Sequence, residues 1–408
     1  MRENTKILVE VIGIISLFLI GIFGLAWLTI NVLLPESGEE ERDSTIIINK
    51  NDDWAILAAN TSWCYGSGNI SDPYIIENIT IDIKKDWANC MDIRNSNVLF
   101  IIRNCRFLQT SCCYPDNCLC GIRYGIKLEN VSNGIFINNT FFFHDKGIRA
   151  ENCSFMIFSS NYFIQSYYGI ILYDCFNNSI MENYFNNKIE GVLRGFGYGV
   201  YEVSGCFNNT FSSNQIFFAG LYISKYSIYM NLSNLVYGKP LYIYRDTQNL
   251  IPENFTDAGY VILENCTNVS IQNITIQHTY KGIYLDNCIN VSISNCSVYW
   301  NVGTDILNSK NITIKDTEFS HGGLQFSNSS YSNFFHNNLY STGIYLSESD
   351  ENTISFNLLN YTYWGVYLEE GSDYNLIVNN TIFYENTCFL ISSDCIGNQC
   401  INNTCTQI

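Results

Sequence analysis

Short runs in which apolar and polar side chains alternate recur along most of the chain, and each run restarts on a glycine. Gly125-Ile126-Lys127-Leu128-Glu129 is followed by Gly147-Ile148-Arg149-Ala150-Glu151 and Gly169-Ile170-Ile171-Leu172-Tyr173. The same beat returns at Gly282-Ile283-Tyr284-Leu285-Asp286, Gly343-Ile344-Tyr345-Leu346 and Gly365-Val366-Tyr367-Leu368, with Gly303 and Gly323 between them. A second half-unit recurs as well, in Asn177-Asn178-Ser179-Ile180, Asn268-Val269-Ser270-Ile271 and Asn290-Val291-Ser292-Ile293. Period-two alternation marks strands with one buried face. A unit of about 22 residues cannot bury its apolar side chains alone, so it must stack on its neighbours. Asn and Gly at the joints suit tight corners, because both accept the left-handed backbone conformation.

These features predict an all-β fold, a right-handed single-stranded parallel β-helix. A propeller needs repeats of about 40 residues, and leucine-rich repeats need Leu at set positions. The solenoid is expected over residues 81–387, with a Cys-rich insertion at 110–121 and an enlarged rung at 220–259, where the beat fails around Tyr237-Gly238-Lys239-Pro240. Residues 45–80 are read as an N-terminal cap and residues 388–408 as a Cys-rich C-terminal cap, because both ends of a solenoid core need covering.

Residues 11–34 form an apolar run without an ionisable side chain, preceded by Arg2 and Lys6 and followed by an acidic linker, 35–44. As a helix rising about 1.5 Å per residue, such a run exceeds a hydrocarbon core of about 30 Å. It is expected to be a transmembrane signal-anchor, with residues 1–10 cytoplasmic and the remainder extracellular at the cell surface. Gly24-Leu25-Ala26 leaves a cleaved signal peptide as the rival reading.

Three passages add to the rungs: Asp72-Pro73-Tyr74-Ile75-Ile76-Glu77-Asn78, Gly238-Lys239-Pro240 and Ala258-Gly259-Tyr260-Val261-Ile262-Leu263. Over residues 45–400 the chain resembles the NosD-like, CASH-type parallel β-helix proteins, and most closely their archaeal surface members. The resemblance implies a β-helix at the cell surface or periplasm, associated with copper handling or with carbohydrate. The residues themselves give copper little to bind. The four histidines, His144, His278, His321 and His336, share no compact motif, whereas copper wants convergent His, Met or Cys. No metal site is assigned, although acidic side chains leave room for Ca²⁺.

The 17 cysteines fall into groups. Cys153, Cys175, Cys206, Cys266, Cys288 and Cys395 hold one place in successive rungs, where Ser309 and Ser349 stand elsewhere, and are expected to be an inward ladder of small residues. Cys112, Cys113, Cys118 and Cys120 in the insertion and Cys388, Cys400 and Cys405 in the terminal stretch are disulfide candidates, as an exported chain allows. An odd total leaves at least one thiol unpaired in a monomer. Asn-x-Ser/Thr sequons, for example at Asn69, Asn78 and Asn138, make a glycoprotein another expectation, although Asn corners followed by Ser or Thr also arise from the repeat itself.

Inward Ile and Leu leave the intervening residues facing solvent. That phase predicts an outward column containing Tyr201, Tyr222, Tyr284, Tyr345 and Tyr367, accompanied by Asp286 and Glu369. Aromatic faces beside carboxylate acceptors suit sugar rings, which have apolar faces and hydroxyl edges. Tyrosine also favours strands for its own sake, and acids keep a surface wet. For catalysis, Gly303-Thr304-Asp305 and His321-Gly322-Gly323 faintly resemble fragments of a polygalacturonase active site. Asp305 and His321 are therefore weak catalytic candidates, but the carboxylate pair such chemistry needs is missing from the rungs.

The net charge of −17 and the sparse Lys and Arg exclude a phosphate-binding surface, so nucleic acid is not an expected partner. The sequence favours a membrane-anchored surface protein that binds carbohydrate or serves cell-envelope structure and adhesion. A polysaccharide hydrolase or lyase and a copper-assembly accessory are the alternatives. Oligomeric state is not legible.

Overall fold

A computed structural model describes residues 40–83, 88–108, 124–187, 197–203, 205–222, 226–229, 233–279, 281–299 and 303–408. The anchor expected at 11–34 and the Cys-rich insertion, with Cys112, Cys113, Cys118 and Cys120, lie outside them. Among the described residues no helix is long and apolar enough to cross a membrane.

The chain winds into a parallel β-solenoid of about 13 turns with rungs of about 22 residues. Each regular rung contributes a strand to each of three faces. The first face runs through Tyr124–Val131, Lys146–Glu151 and Tyr168–Tyr173, paired in parallel so that Ile126, Ile148 and Ile170 fall in one column. The second and third faces continue each rung, as in Gly134–Ile137 and Thr140–Phe142. Inward columns of like residues fill the core. Phe107, Phe141, Phe163 and Phe185 stack with successive ring centroids 4.9, 4.7 and 5.0 Å apart. Burying such a side chain stabilises by about 1.5–3 kcal/mol, and each is fully covered by the rungs on either side.

The glycine beat has a steric cause. A Cβ at Gly147 would lie 2.5 Å from Cδ1 of Phe163 and 2.7 Å from the carbonyl oxygen of Gly169 in the next rung. The asparagines do two jobs. At exposed corners they take positive φ, as at Asn95 (48°) and Asn130 (56°), and join amide to amide, with Asn130 Nδ2 donating to Asn95 Oδ1 at 3.0 Å. At inner corners Asn139, Asn161, Asn183, Asn214 and Asn234 form a fully buried ladder. There, Oδ1 of each accepts from the backbone N–H and the Nδ2 of the one before. The ladder meets the demand that buried backbone donors find partners where strands end.

Helix α1 (Asn51–Asn60) occupies the expected N-terminal cap. It presents one fully buried side chain, Trp54, to the end of the core, where the indole stacks on Phe100 at 4.6 Å and its Nε1 donates to Ser96 Oγ at 2.9 Å. Within the same stretch, Ile46–Ile48 and Tyr74–Glu77 already pair in parallel with later strands, so the solenoid begins inside the cap region.

At the other end, Cys388 and Cys405 form a disulfide across a Cα separation of 5.9 Å. Cys400, expected to be bonded, is an exposed thiol. It continues the inward column of Ile377 in the next rung, and the terminal bridge joins the other two cysteines. Cys153, Cys175, Cys206, Cys266 and Cys288 are buried thiols, as the ladder reading requires, and Cys395 is half-buried.

Among the described residues the regular stacking breaks after Tyr222. The first face stops at Ala219–Tyr222 and does not pair with the strand that takes up that position next, Lys239–Arg245. That strand turns back antiparallel on Leu235–Val236 and pairs in parallel with Tyr260–Glu264. Leu241, Ile243, Tyr260 and Ile262 pack with the core of the preceding rungs, whereas Tyr242, Val261 and Leu263 belong to the core of the following ones. The enlarged rung expected at 220–259 is therefore a seam between two stacked cores.

Candidate functional site: a cleft at the seam

The seam leaves a cleft of about 1300 Å³. One wall is tyrosine. Tyr201 and Tyr222 are register partners with rings 5.1 Å apart, and the Tyr198 ring lies 4.7 Å from that of Tyr201. The facing wall is the outward side of the restarted face, where Ile243, Ile262, Tyr284 and Asp305 follow one another in a single register column. Two residues along the same strands, Arg245, Glu264 and Asp286 form a second outward column.

Charge is organised in pairs. Arg245 Nε donates to Glu264 Oε2 at 2.5 Å, and Lys281 donates through Nζ to Asp305 Oδ2. Glu202, 1% exposed, lies deepest and accepts from Asn209 Nδ2 at 2.7 Å and Ser227 Oγ at 2.9 Å. Asp286 accepts from Asn308 Nδ2 at 2.8 Å and Asp246 from Asn265 Nδ2 at 3.0 Å. Burial pushes the Tyr284 phenol well above the ordinary tyrosine value, and the charges of Asp286, Glu264 and Asp305 push the same way. Burial also raises the Cys206 thiol to about 11.

Of the residues singled out from the sequence, Tyr201, Tyr222, Tyr284, Asp286 and Asp305 meet in this cleft. Tyr345, Tyr367 and Glu369 stand farther along the same face. The column runs from Tyr284 through Asp305 and Gln325 to Tyr345 and Tyr367, four steps of about 4.8 Å, or about 19 Å. Tyr345 and Tyr367 are adjacent as expected, with ring centroids 5.1 Å apart, and Tyr367 donates its hydroxyl to Glu369. Trp364, 41% exposed, adds its ring 5.5 Å from Tyr367, and Tyr363 lies 5.1 Å beyond it. His321 does not join Asp305 in the cleft. It stands at an exposed corner, 5.7 Å from the Tyr340 ring.

Sequence reasoning missed Glu202, Arg245, Glu264 and Lys281. All four stand near the break in the glycine beat, which was itself the available signal.

Residues 207–398 match the family model described as periplasmic copper-binding protein (NosD), and residues 45–234 match the model described as right handed beta helix region. Each match spans just under half of the chain, which resembles NosD in its second half and folds as the parallel β-solenoid described above. No curated protein matches it. Solved structures similar to the NosD-like chain include the A-module of a mannuronan C-5 epimerase from Azotobacter vinelandii, at 9% identity over 90% of this chain and 91% of that one, with a TM-score of 0.26. A mannuronic acid specific polysaccharide family 6 lyase from human gut microbiota is 11% identical over 90% and 91%, with a TM-score of 0.30. At these scores the likeness carries no argument about activity.

The copper named in the family description finds no fit among the described residues. No group of three His, Cys, Asp or Glu side chains converges to hold a metal. His144 is buried with Nε2 on the Phe107 carbonyl at 3.0 Å, His278 lies against Phe218 and Tyr237, and His336 lies between Phe335 and Phe356.

Proposed function

We propose that this NosD-like β-helix is a membrane-anchored surface protein that holds carbohydrate in the seam cleft and along the tyrosine face beyond it. The observation that carries the reading is the single register column that leads from Tyr284 in the cleft, where Tyr201 and Tyr222 form the opposite wall, through Asp305 and Gln325 to Tyr345 and Tyr367, with Trp364 beside them. A saccharide presents apolar ring faces to aromatic side chains and hydroxyl edges to acceptors. Both are supplied here, in the cleft by Asp286 and Glu264 and on the platform by Glu369. An extended chain of sugars, rather than a single residue, uses a surface about 19 Å long.

The test is binding of the full chain to an array of oligosaccharides, repeated with Tyr222→Ala and Tyr367→Ala. Loss of one stacking partner lowers affinity about tenfold or less, in line with about 0.5–1.5 kcal/mol per aromatic contact. Tyr222 is 52% exposed, so the thermal midpoint of that variant stays nearly unchanged. Absence of binding to every glycan would end the reading.

Asp305, with Asp286 and Glu264 in the same cleft, keeps glycan cleavage as the second reading. Release of reducing ends by the wild type, abolished in Asp305→Asn, would favour it over simple binding.

A further inference from the structure

The Asn-x-Ser/Thr sequons separate into two kinds once they are placed on the solenoid. In the rungs the asparagine stands at a positive-φ corner and the middle residue of the triplet points into the core. Ile79 after Asn78, Val131 after Asn130, Val291 after Asn290 and Ile312 after Asn311 are all buried. The corner amides are also tied from rung to rung, as Asn290 Nδ2 is to Asn268 Oδ1 at 3.1 Å. At Asn138 the middle residue is Asn139, a fully buried member of the inner ladder. At Asn360 the third residue, Thr362, is the buried one. A glycosyltransferase must take its triplet as an exposed segment, so a triplet pinned in the core is closed to it until the rung opens.

Among the described residues, Asn69-Ile70-Ser71 alone has all three members exposed, Ile70 to 92%. It forms the tip of the turn between Cys64–Tyr65 and Tyr74–Glu77, outside the rungs. The turn is held from within, because the Asp72 carbonyl accepts from the backbone N–H groups of Ser67, Gly68 and Asn69 at 3.1, 2.9 and 3.2 Å. It is tied to the solenoid by the Leu99 N–H, which donates to the Gly68 carbonyl at 3.1 Å. Asn69 Oδ1 accepts from Ser71 Oγ at 2.7 Å, so the amide and the hydroxyl of the motif already face each other in solvent. Asn69 Nδ2 gives one hydrogen to the exposed Ser67 hydroxyl and has a second to give. The triplet that begins at Asn60 lacks this freedom. Its Nδ2 returns to the Ile56 carbonyl at 2.6 Å and Thr61 Oγ1 to the Leu57 carbonyl, which keeps it wound on α1.

We propose that Asn69 is the N-glycosylation site of the folded chain and that the rung sequons stay bare. The donor is an oligosaccharide linked to a lipid phosphate, met where the surface placement proposed above puts the chain. The bond from the anomeric carbon to the phosphate oxygen breaks and one from that carbon to Asn69 Nδ2 forms. The phosphate leaves with the bonding electrons, and one amide proton passes to solvent.

The test combines the purified full chain, made without glycans, with an N-glycosyltransferase and the lipid-linked oligosaccharide. Synthetic peptides spanning Asn69 and Asn290 are the controls, and peptide mass spectrometry reads the sites. The folded chain should gain one glycan, at Asn69. Asn290 should react about a hundredfold or more slower in the folded chain than in its peptide, because there it waits on local opening of the rung. Asn69→Gln and Ser71→Ala should abolish the addition, and Ser71→Thr, which keeps the hydroxyl, should retain it.

Modification of Asn290 in the folded chain at the rate of its peptide overturns the inference. So does a bare Asn69 in a folded chain whose Asn69 peptide is modified. Either result leaves the surface and carbohydrate readings standing, since the assay needs neither export nor binding in the cleft.

Discussion

Replacing Asn183 by leucine tests the claim that the buried asparagine ladder is what closes the inner corners. Asn183 Oδ1 accepts from both the backbone N–H and the Nδ2 of Asn161, each at 3.0 Å. Its Nδ2 donates to the carbonyls of Phe158 and Met181, at 2.9 and 3.0 Å, and to Asn214 Oδ1 at 3.1 Å. Leucine fits the volume but supplies none of these. The Asn161 N–H is then left buried without a partner, at a cost of about 1–3 kcal/mol. Several ladder bonds to groups that keep other partners are lost besides, each worth about 0.5–1.5 kcal/mol. The total is about 3–5 kcal/mol. Serine is the control, because serine serves this role elsewhere in the chain: Ser309 Oγ accepts from Cys288 N at 3.0 Å and donates to the Leu307 carbonyl at 2.6 Å. Asn183→Ser should cost about 1–2 kcal/mol. A solenoid opens locally, so the assay is native-state hydrogen exchange at the Asn161 amide rather than a global melt. Protection there should fall about a hundredfold or more in Asn183→Leu and about tenfold in Asn183→Ser. Equal protection in the two variants would refute the reasoning, since it would mean that the corner depends on filled volume and not on amide bonds.

Burial lowers the pKa of His144 from 6.5 to about 4, and its Nδ1 has no hydrogen-bond partner, so protonation would bury a bare N–H. The folded value lies below the unfolded one, so the full stability is present above about pH 6.5. It is lost as pH falls towards 4, by about 3 kcal/mol relative to His144→Gln, and a flat difference between the two proteins over that range in urea titrations would contradict this. Native alkylation should label Cys400, which is exposed, and spare Cys175, which should react only on unfolding. Mass spectrometry showing Cys175 modified in the folded chain would refute the inward ladder.

The repeat was legible because its causes are local. Gly147 and Gly169 sit where a Cβ would strike the next rung, and the Asn corners take positive φ, so both leave a mark on the sequence in every turn. The adjacency of Tyr345 and Tyr367 followed from the same register. Helix α1 was not legible as a helix. Asp52 and Asp53 in its first turn are a start signal, but its only buried side chain is Trp54, so no apolar stripe of helical period exists to be read. The burial of Glu202 was not legible either. By alternation it falls among the inward positions of its strand, in register with Leu172, and hydrogen bonds such as those from the Asn209 amide and the Ser227 hydroxyl make a carboxylate tolerable there.

The position of the cleft follows from how solenoids use side chains. In an unbroken rung the alternation is spent on one core and one solvated face. At the seam the strands Lys239–Arg245 and Tyr260–Glu264 have both faces engaged, one with each core. The outward residues that come next in the column, Tyr284 and Asp305, are drawn under cover by that arrangement while their strand neighbours remain in regular register. The two family matches overlap across the same place, residues 207–234, immediately before the reversed strand. Joining two regular stacks out of register converts a flat tyrosine stripe into a lined cavity. It also accounts for why the charged residues missing from the rung pattern, Glu202, Arg245, Glu264 and Lys281, gather at this one point along the axis.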